Sequence, residues 1–164
     1  MELRARRLKL MSKRIAVIRV RGTVGVRGDV ERVMEKLMLT RVNHCVVVDD
    51  SPQSMGRVKK CSSYLTWGEI TPDTLALMVM KRGRAPGNKR IGNEEIEADN
   101  LGSFDKFAEK VCSFECELSA LKCLKPVFRL HPPKKGYRHI KKPYPKGALG
   151  YRGDKINELL NRMV

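Results

Sequence analysis

Residues 14–50 read RIAVIRVRGTVGVRGDVERVMEKLMLTRVNHCVVVDD, and this stretch decides the fold. Its opening alternates, with Ile15 and Val17 on one side of an extended chain and Ala16 and Ile18 on the other. A period of two is typical of a β-strand. The closing HCVVVDD is a short apolar run between polar ends, which predicts a second strand in the interior of a sheet.

Between these strands the apolar residues follow a different period. After a glycine-containing loop they recur at intervals of three and four, which places them on one face of an α-helix. Asp29 is the predicted N-cap of this helix. The apolar positions are Val30, Val33, Met34, Leu37 and Met38.

The same alternation of elements continues to residue 70. A short helix is predicted over 53–62 with Met55 and Val58 facing inward, and 64–70, YLTWGEI, has the composition of a strand. The order is then β-α-β-α-β. We expect strands 1 and 2 to be adjacent or separated by one strand, with right-handed crossovers.

Beyond residue 70 the chain is predicted to be helical and then extended. The TPD sequence at 71–73 is a helix start, and this helix ends at Gly83. A second helix begins near Ser103, residues 127–130 form a candidate last strand, and Asp154 caps a terminal helix.

These patterns divide the chain into four regions of an α+β protein. Residues 1–13 are a basic appendage and 14–71 are the core. Residues 72–124 are a helical extension, and 125–164 are a basic extended segment that ends in a helix.

The charge balance indicates a nucleic-acid partner. The 164 residues include 34 Lys and Arg against 18 Asp and Glu, a formal net charge of +16. The excess lies at the two ends, because 125–164 carries 11 cations against 2 acids and 71–124 carries 8 against 9. No apolar run approaches the length of a membrane span. We therefore expect neither a membrane nor a small-molecule substrate as partner.

The most basic part of the chain is 125–153, with nine Lys or Arg and no acid. Its five prolines and four glycines disfavour regular structure, so we expect it to stay out of a core and to lie extended on a polyanion. Interleaved aromatic residues would stack on bases. The predicted RNA-contacting cations are Lys134, Lys135, Arg138, Lys141, Lys142 and Lys146.

The loop over 83–90 is predicted to be a second RNA contact. Arg84, Lys89 and Arg90 surround Pro86 and Gly87, between two helices whose own surfaces are near neutral.

The reactive side chains do not form a catalytic or metal-binding pattern. Cys112, Cys116 and Cys123 lack the paired spacing of common zinc sites, so we expect reduced thiols and no metal. None of the three histidines has a carboxylate at a spacing that suggests a relay. We predict no enzymatic activity and no cofactor.

Taken together, these segments resemble the large-subunit ribosomal protein family numbered thirty in the universal scheme (uL30), in its long archaeal form. IAVIRVRGTVGV, LMLTRVNHCVVV and SPQSMGRVKKCSSYLTWGEI are similar to the short bacterial member. TPDTLALMVMKRG, RLHPPKKGYR and KGALGYRGDKINELLNRM are similar to the archaeal and eukaryotic extension. The combination of TWGEI with GALGYRG is specific.

The resemblance implies a ferredoxin-like core and a structural role in the large ribosomal subunit, in the cytoplasm. The implied partners are large-subunit ribosomal RNA and other ribosomal proteins. A free-standing RNA-binding protein, acting in RNA processing or regulation, is the alternative. The RNA contacts implied by motif position, to which we add the neighbouring Arg19, are Arg21, Thr23, Gly25, Arg27, Arg41, Asn43, Lys59, Lys60, Gly150, Tyr151, Arg152 and Gly153.

Overall fold

A computed structural model describes residues 13–92, 102–121 and 124–164. At its centre is a five-stranded sheet in the order β4-β2-β1-β3-β5. β1 is antiparallel to both of its neighbours, β4 is antiparallel to β2, and β5 is parallel to β3. The strands are β1 Arg14–Arg19, β2 His44–Asp49, β3 Leu65–Glu69, β4 Val127–Arg129 and β5 Gly150–Tyr151.

Helices cover both faces of this sheet. In the described part of the chain they are α1 Gly28–Lys36, α2 Pro52–Lys60, α3 Pro72–Arg82, α4 Phe104–Cys112 and α5 Lys155–Met163. Short 3-10 turns lie at Pro86–Asn88 and Leu118–Ala120.

Successive side chains of β1 point to opposite faces of the sheet and belong to two separate apolar cores. Ile15 and Val17 face α1 and α2, where they join Met34, Val58 and Trp67 among others. The opposite face packs against α3, α4 and α5, through residues that include Ala16, Ile18, Cys45, Leu75 and Phe107. The sheet is therefore the middle of three layers, and the helices beyond residue 71 form one of them.

α5 and the turn before it approach the sheet closely at Gly68 in β3. A Cβ at this position would overlap the carbonyl oxygen of Gly153 and lie 2.9 Å from the Cβ of Ile156. A side chain here is incompatible with the packing of the C-terminal helix. The glycine of TWGEI thus lets the final glycine of GALGYRG reach the sheet.

The predicted α+β class and the β-α-β-α-β order are confirmed, and strands 1 and 2 are adjacent. The rule of right-handed crossovers does not apply to the β1-α1-β2 connection, because β1 is antiparallel to β2. β2 and β3 are parallel to each other, and for the connection through α2 a right-handed crossover stays a prediction. Asp29 does not cap α1, whose N-cap is Arg27. Thr71 and Asp154 do occupy N-cap positions, although neither side chain accepts a capping hydrogen bond.

The expectation that 125–153 stays out of the core was also wrong. Phe128 is fully buried beneath the second helical layer, and the segment supplies both β4 and β5. Ala148 and Leu149 are buried together with Val20 at the end of β1. Its prolines and glycines shape a folded connection between two edge strands.

Candidate nucleic-acid interface

The strand directions bring four connections to one end of the sheet. β1 ends where β2 and β3 begin, because both are antiparallel to it. β4 ends beside the start of β2, and β5 starts beside the start of β3. The four connections are the first loop (20–27), the second loop (37–43), the turn 61–64 and the long connection 130–149.

The two ends of the sheet differ in charge. The long connection alone brings six Lys and Arg and no acid to the end just described. At the other end Asp49 and Glu69 end β2 and β3, and Asp50 follows directly. The protein therefore presents a basic end, which is the candidate interface, and an end of mixed charge, where Lys13 and Arg14 lie beside Asp50 and Asp49.

The first loop exposes three of its predicted contact residues. Thr23, Gly25 and Arg27 are all exposed, and Gly25 has a φ of 72°, which favours glycine. Arg21 is only half-exposed, because it donates to the carbonyl oxygen of Ser63 at 3.1 Å and lies over the ring of Tyr64 at 4.8 Å. Arg21 thereby holds the first loop against the turn that precedes β3.

Arg19 is placed inside the protein and not on its surface. It is 1% exposed. Its Nε donates to the carbonyl oxygen of Arg21 at 2.9 Å, and its Nη1 donates to those of Leu39 and Thr40 at 2.7 and 3.0 Å. Arg19 therefore ties the first loop to the second, and its predicted place on the exposed RNA-facing surface is revised.

Asn43 joins the second loop to the long connection. Its φ of 64° is in the left-handed region, which asparagine tolerates better than most residues. Its side-chain oxygen accepts a hydrogen bond of 2.8 Å from the hydroxyl of Tyr137. Arg41, two positions earlier, is exposed at the surface. The family resemblance implied an RNA contact for both residues, and of the two only Arg41 is exposed.

Residues 131–149 form a compact unit that we call the basic lobe. Its start caps the end of α5, because the backbone N–H groups of His131 and Lys134 donate to the carbonyl oxygens of Met163 and Arg162. Arg162 in turn donates through its guanidinium to the carbonyl oxygens of Lys134 and Gly136. The lobe is thus fastened at several points to the body of the protein.

Gly147 sets the tight packing inside the lobe. A Cβ there would lie 2.7 Å from the carbonyl oxygen of His139 and would overlap that of Lys142. The backbone of the lobe packs tightly against itself, and its Lys and Arg side chains lie on the outside. All six cations predicted in this segment are exposed, namely Lys134, Lys135, Arg138, Lys141, Lys142 and Lys146.

The basic face of α2 adjoins the first loop. Lys59 and Lys60 are both exposed at the end of this helix. Lys60 and Arg27 each lie 3.5 Å from a carboxylate oxygen of Asp29. Asp29 therefore forms ion pairs with two of the predicted cations. Exposed ion pairs of this kind are weak enough to be exchanged for contacts with phosphate.

His44 lies at the basic end, near three arginine side chains. The pKa of His44 is lowered by burial and by the nearby charges of Arg129, Arg41 and Arg19. Arg129 was not among the predicted contact residues. It is exposed at the end of β4, directly opposite His44 in the sheet, and only the strand pairing reveals that position.

The GALGYRG motif pairs with TWGEI in this structure. Gly150 and Tyr151 form β5 opposite Thr66 and Trp67. The hydroxyl of Tyr151 donates to Glu69 at 2.6 Å, which raises the pKa of Tyr151 to about 12. The two motifs that carried the family resemblance are therefore a single structural joint.

Arg152 is also turned inward. It donates to the hydroxyl of Thr66 at 2.9 Å and lies over the ring of Tyr144 at 5.1 Å, and burial lowers its pKa. Gly150 and Gly153 have φ values of 83° and 56°, as the turns on either side require. In this part of the predicted site, only Tyr151 presents a mostly exposed side chain.

The loop after α3 is an ordered hairpin. Arg84 and Arg90 form an antiparallel bridge around the 3-10 turn, and the carbonyl oxygen of Arg84 accepts from the N–H of Lys125. Arg82 lies close by, since its pKa is lowered by burial and by both of these arginines. Lys89 and Arg90 are exposed and Arg84 is half-buried. Arg82 also donates to Val164 at the end of α5, which links this hairpin to the helix end that holds the basic lobe.

Within residues 13–92, 102–121 and 124–164, no three His, Cys, Asp or Glu side chains are grouped as a metal site would require. Cys45 and Cys61 are buried, Cys112 and Cys116 are half-buried, and Cys123 lies outside the described residues. No helix in those ranges is long and apolar enough to cross a membrane.

Known proteins share both the core and the extension. The family model described as ribosomal protein L30p/L7e matches residues 15–65. The large ribosomal subunit protein uL30 of Methanococcus maripaludis is 49% identical over 152 residues, covering 91% of this chain and 98% of the relative. The proteins of the same name from Methanopyrus kandleri and Archaeoglobus fulgidus are 48% and 42% identical, covering 88% and 90% of this chain and 100% and 98% of the relatives.

Proposed function

The chain belongs to the uL30 family of large ribosomal subunit proteins, and from this membership we propose that it is a structural component of the large subunit that binds folded ribosomal RNA through its basic end. Its place of action is then the ribosome in the cytoplasm, with other ribosomal proteins as neighbours. The role is one of binding and not of catalysis.

One observation carries the proposal. Connections that are far apart in sequence, the first loop, the second loop and the basic lobe, meet at one end of the sheet and bring their exposed cations together. Folded RNA is recognised through its shape and its phosphates, and a rigid cluster of Lys and Arg suits that recognition.

Fixed loops make this surface suited to an RNA that is already folded. Arg19 ties the first and second loops, and the Tyr137–Asn43 hydrogen bond ties the second loop to the basic lobe. Because the loops are held before RNA arrives, less conformational entropy is lost on binding. We expect affinity to depend on these ties as well as on the exposed charges.

The test compares two double variants with the same loss of charge. Lys141→Gln with Lys142→Gln removes two exposed cations of the basic lobe. Lys13→Gln with Lys110→Gln removes two elsewhere, at the start of β1 and on α4. Binding to large-subunit RNA is measured over a range of salt concentrations.

The lobe variant should bind more weakly than wild type. Its plot of log affinity against log salt concentration should be less steep by about one to two units. The control variant should stay close to wild type in both respects. Equal effects of the two variants would show that the charge acts only through the net total. Failure of the wild-type chain to enter large subunits would refute the proposed function itself.

We also propose the hairpin after α3 as a second RNA contact. Arg84 and Arg90 both repel the guanidinium of Arg82, and none of the three forms a salt bridge with another described residue. Phosphate is a partner that relieves this repulsion. Arg84→Gln with Arg90→Gln should reduce affinity without lowering the melting temperature, and unchanged affinity at physiological salt would remove the hairpin from the interface.

A further inference from the structure

A cavity of about 210 Å³ separates the first and second loops at the basic end. It is large enough for several water molecules, since each occupies about 30 Å³ in the liquid. Its lining residues are Arg19, Gly22, Thr23, Thr40, Arg41 and Val42.

Arg19 is the unusual member of this lining. Its Nε and Nη1 donate to three backbone carbonyl oxygens, but its Nη2 is buried and has no hydrogen-bond partner among the described residues. None of its three acceptors is a carboxylate. A buried cation that lacks an anion and leaves one nitrogen unsatisfied is unfavourable, and native structures rarely keep one without a reason.

The existing bonds fix the position of the free nitrogen. A guanidinium is planar, so acceptors on Nε and Nη1 determine where Nη2 points. The donor is thus held in place before any ligand arrives, and a ligand that accepts from it gains a charge-assisted hydrogen bond.

The rest of the lining also favours an anion. Arg41, with a second guanidinium, and Thr23 and Thr40, with hydroxyl groups, are among the lining residues. No carboxylate lines the cavity. Gly22 is exposed and has no heavy atom within 4 Å of the position that a Cβ would take, so the cavity is open on that side.

We propose that this cavity is a phosphate-binding pocket, which takes one phosphodiester group of the ribosomal RNA backbone and pairs it with Arg19 Nη2. The inference rests on the proposed function and assigns a specific RNA group to one place in the interface. Nη2 is covered in the free protein, so the phosphate reaches it when the part of the first loop beyond Gly22 moves aside, while Arg21, Leu39 and Thr40 keep their bonds to Arg19. Arg41, at the rim, contacts the same phosphate or its neighbour.

The experiment is phosphate-ethylation interference with the full chain and large-subunit RNA. RNA ethylated at random phosphates is sorted by its ability to bind the protein, so each contacted phosphate appears as a position where ethylation prevents binding. Arg19→Lys keeps the charge but loses the planar fork. Gly22→Val leaves all three hydrogen bonds of Arg19 in place and adds bulk at the open side. Lys106→Gln, an exposed cation on α4 outside the proposed interface, is the control.

Wild type should show an interfering phosphate that disappears with both Arg19→Lys and Gly22→Val and persists with Lys106→Gln. The affinity of the first two variants should fall about tenfold or more. If Arg19→Lys does not fold, Gly22→Val alone decides the matter.

Two results would overturn the pocket. One is a folded variant of either kind that keeps the complete wild-type interference pattern. The other is an unchanged pattern with poorer entry into large subunits, which would assign the cavity to a neighbouring protein. Both differ from failure of the proposed function, in which the wild-type chain itself does not bind the RNA.

Discussion

Replacement of Gly68 by alanine tests whether the C-terminal helix depends on the close approach seen at β3. The added Cβ would lie 2.9 Å from the Cβ of Ile156 and would overlap the carbonyl oxygen of Gly153. Overpacking of this kind costs about 1–3 kcal/mol. We expect the upper part of that range, about 3 kcal/mol, because one of the two obstructing groups is backbone and cannot rotate away.

For a chain of this length each kcal/mol lowers the melting temperature by about 2–4 °C, so Gly68→Ala should melt about 6–12 °C below wild type. Circular dichroism measures this directly. Gly56→Ala is the matched control, because Gly56 is exposed within α2 and has no heavy atom within 4 Å of the position of a Cβ. Alanine is the better helix former by up to about 1 kcal/mol, so this variant should melt slightly higher. The reasoning fails if the two variants melt together or if Gly68→Ala stays within about 2 °C of wild type.

Three further outcomes are expected. Tyr137→Phe should lower the free energy of unfolding in urea by about 1 kcal/mol, since it removes the hydrogen bond to Asn43, and no change would mean that this bond does not hold the basic lobe. Below its ordinary pKa of 6.5, His44 takes up a proton in the unfolded chain before it does so in the folded protein, so wild type should lose stability as pH falls from 7.5 to 5. His44→Gln should lack that component, and parallel pH profiles would contradict the assignment. An isolated 13–71 fragment should melt cooperatively, at a lower temperature than the full chain. It should also bind a hydrophobic dye, because the sheet face that α3, α4 and α5 cover is then exposed. A non-cooperative melt would rule out independent folding.

The local elements were predictable because their patterns lie within short stretches of sequence. The alternation around Val17 and the helical spacing around Met34 each require only nearby residues, and the structure contains both elements. The strand at 127–130 was also predicted, within one residue of its end. β5 was not predicted, because Gly150 and Tyr151 are too short a segment to show a strand pattern. They pair only because β3 offers an open edge.

The candidate site was predictable in its charge and much less in its geometry. Lys141 and Lys142 could be assigned to the surface because six cations in that connection have no acid beside them. Arg19 and Arg152 have the same residue type as the exposed cations but donate to groups inside the protein. Their partners lie up to 86 positions away, and no local pattern distinguishes an inward-facing arginine from an outward-facing one.

The pairing of Thr66 with Gly150 joins residues 84 positions apart and has a consequence for synthesis. When the first three strands have left the ribosome, the outer edge of β3 and the apolar face beside it are still uncovered. The residues that cover them, in β5 and α5, are translated much later. An unpaired strand edge invites association with other chains. The nascent chain therefore passes through a stage in which the first three strands have been made while the sheet is incomplete. A chaperone that covers the open edge and the apolar face at that stage would protect the chain until β5 and α5 close them.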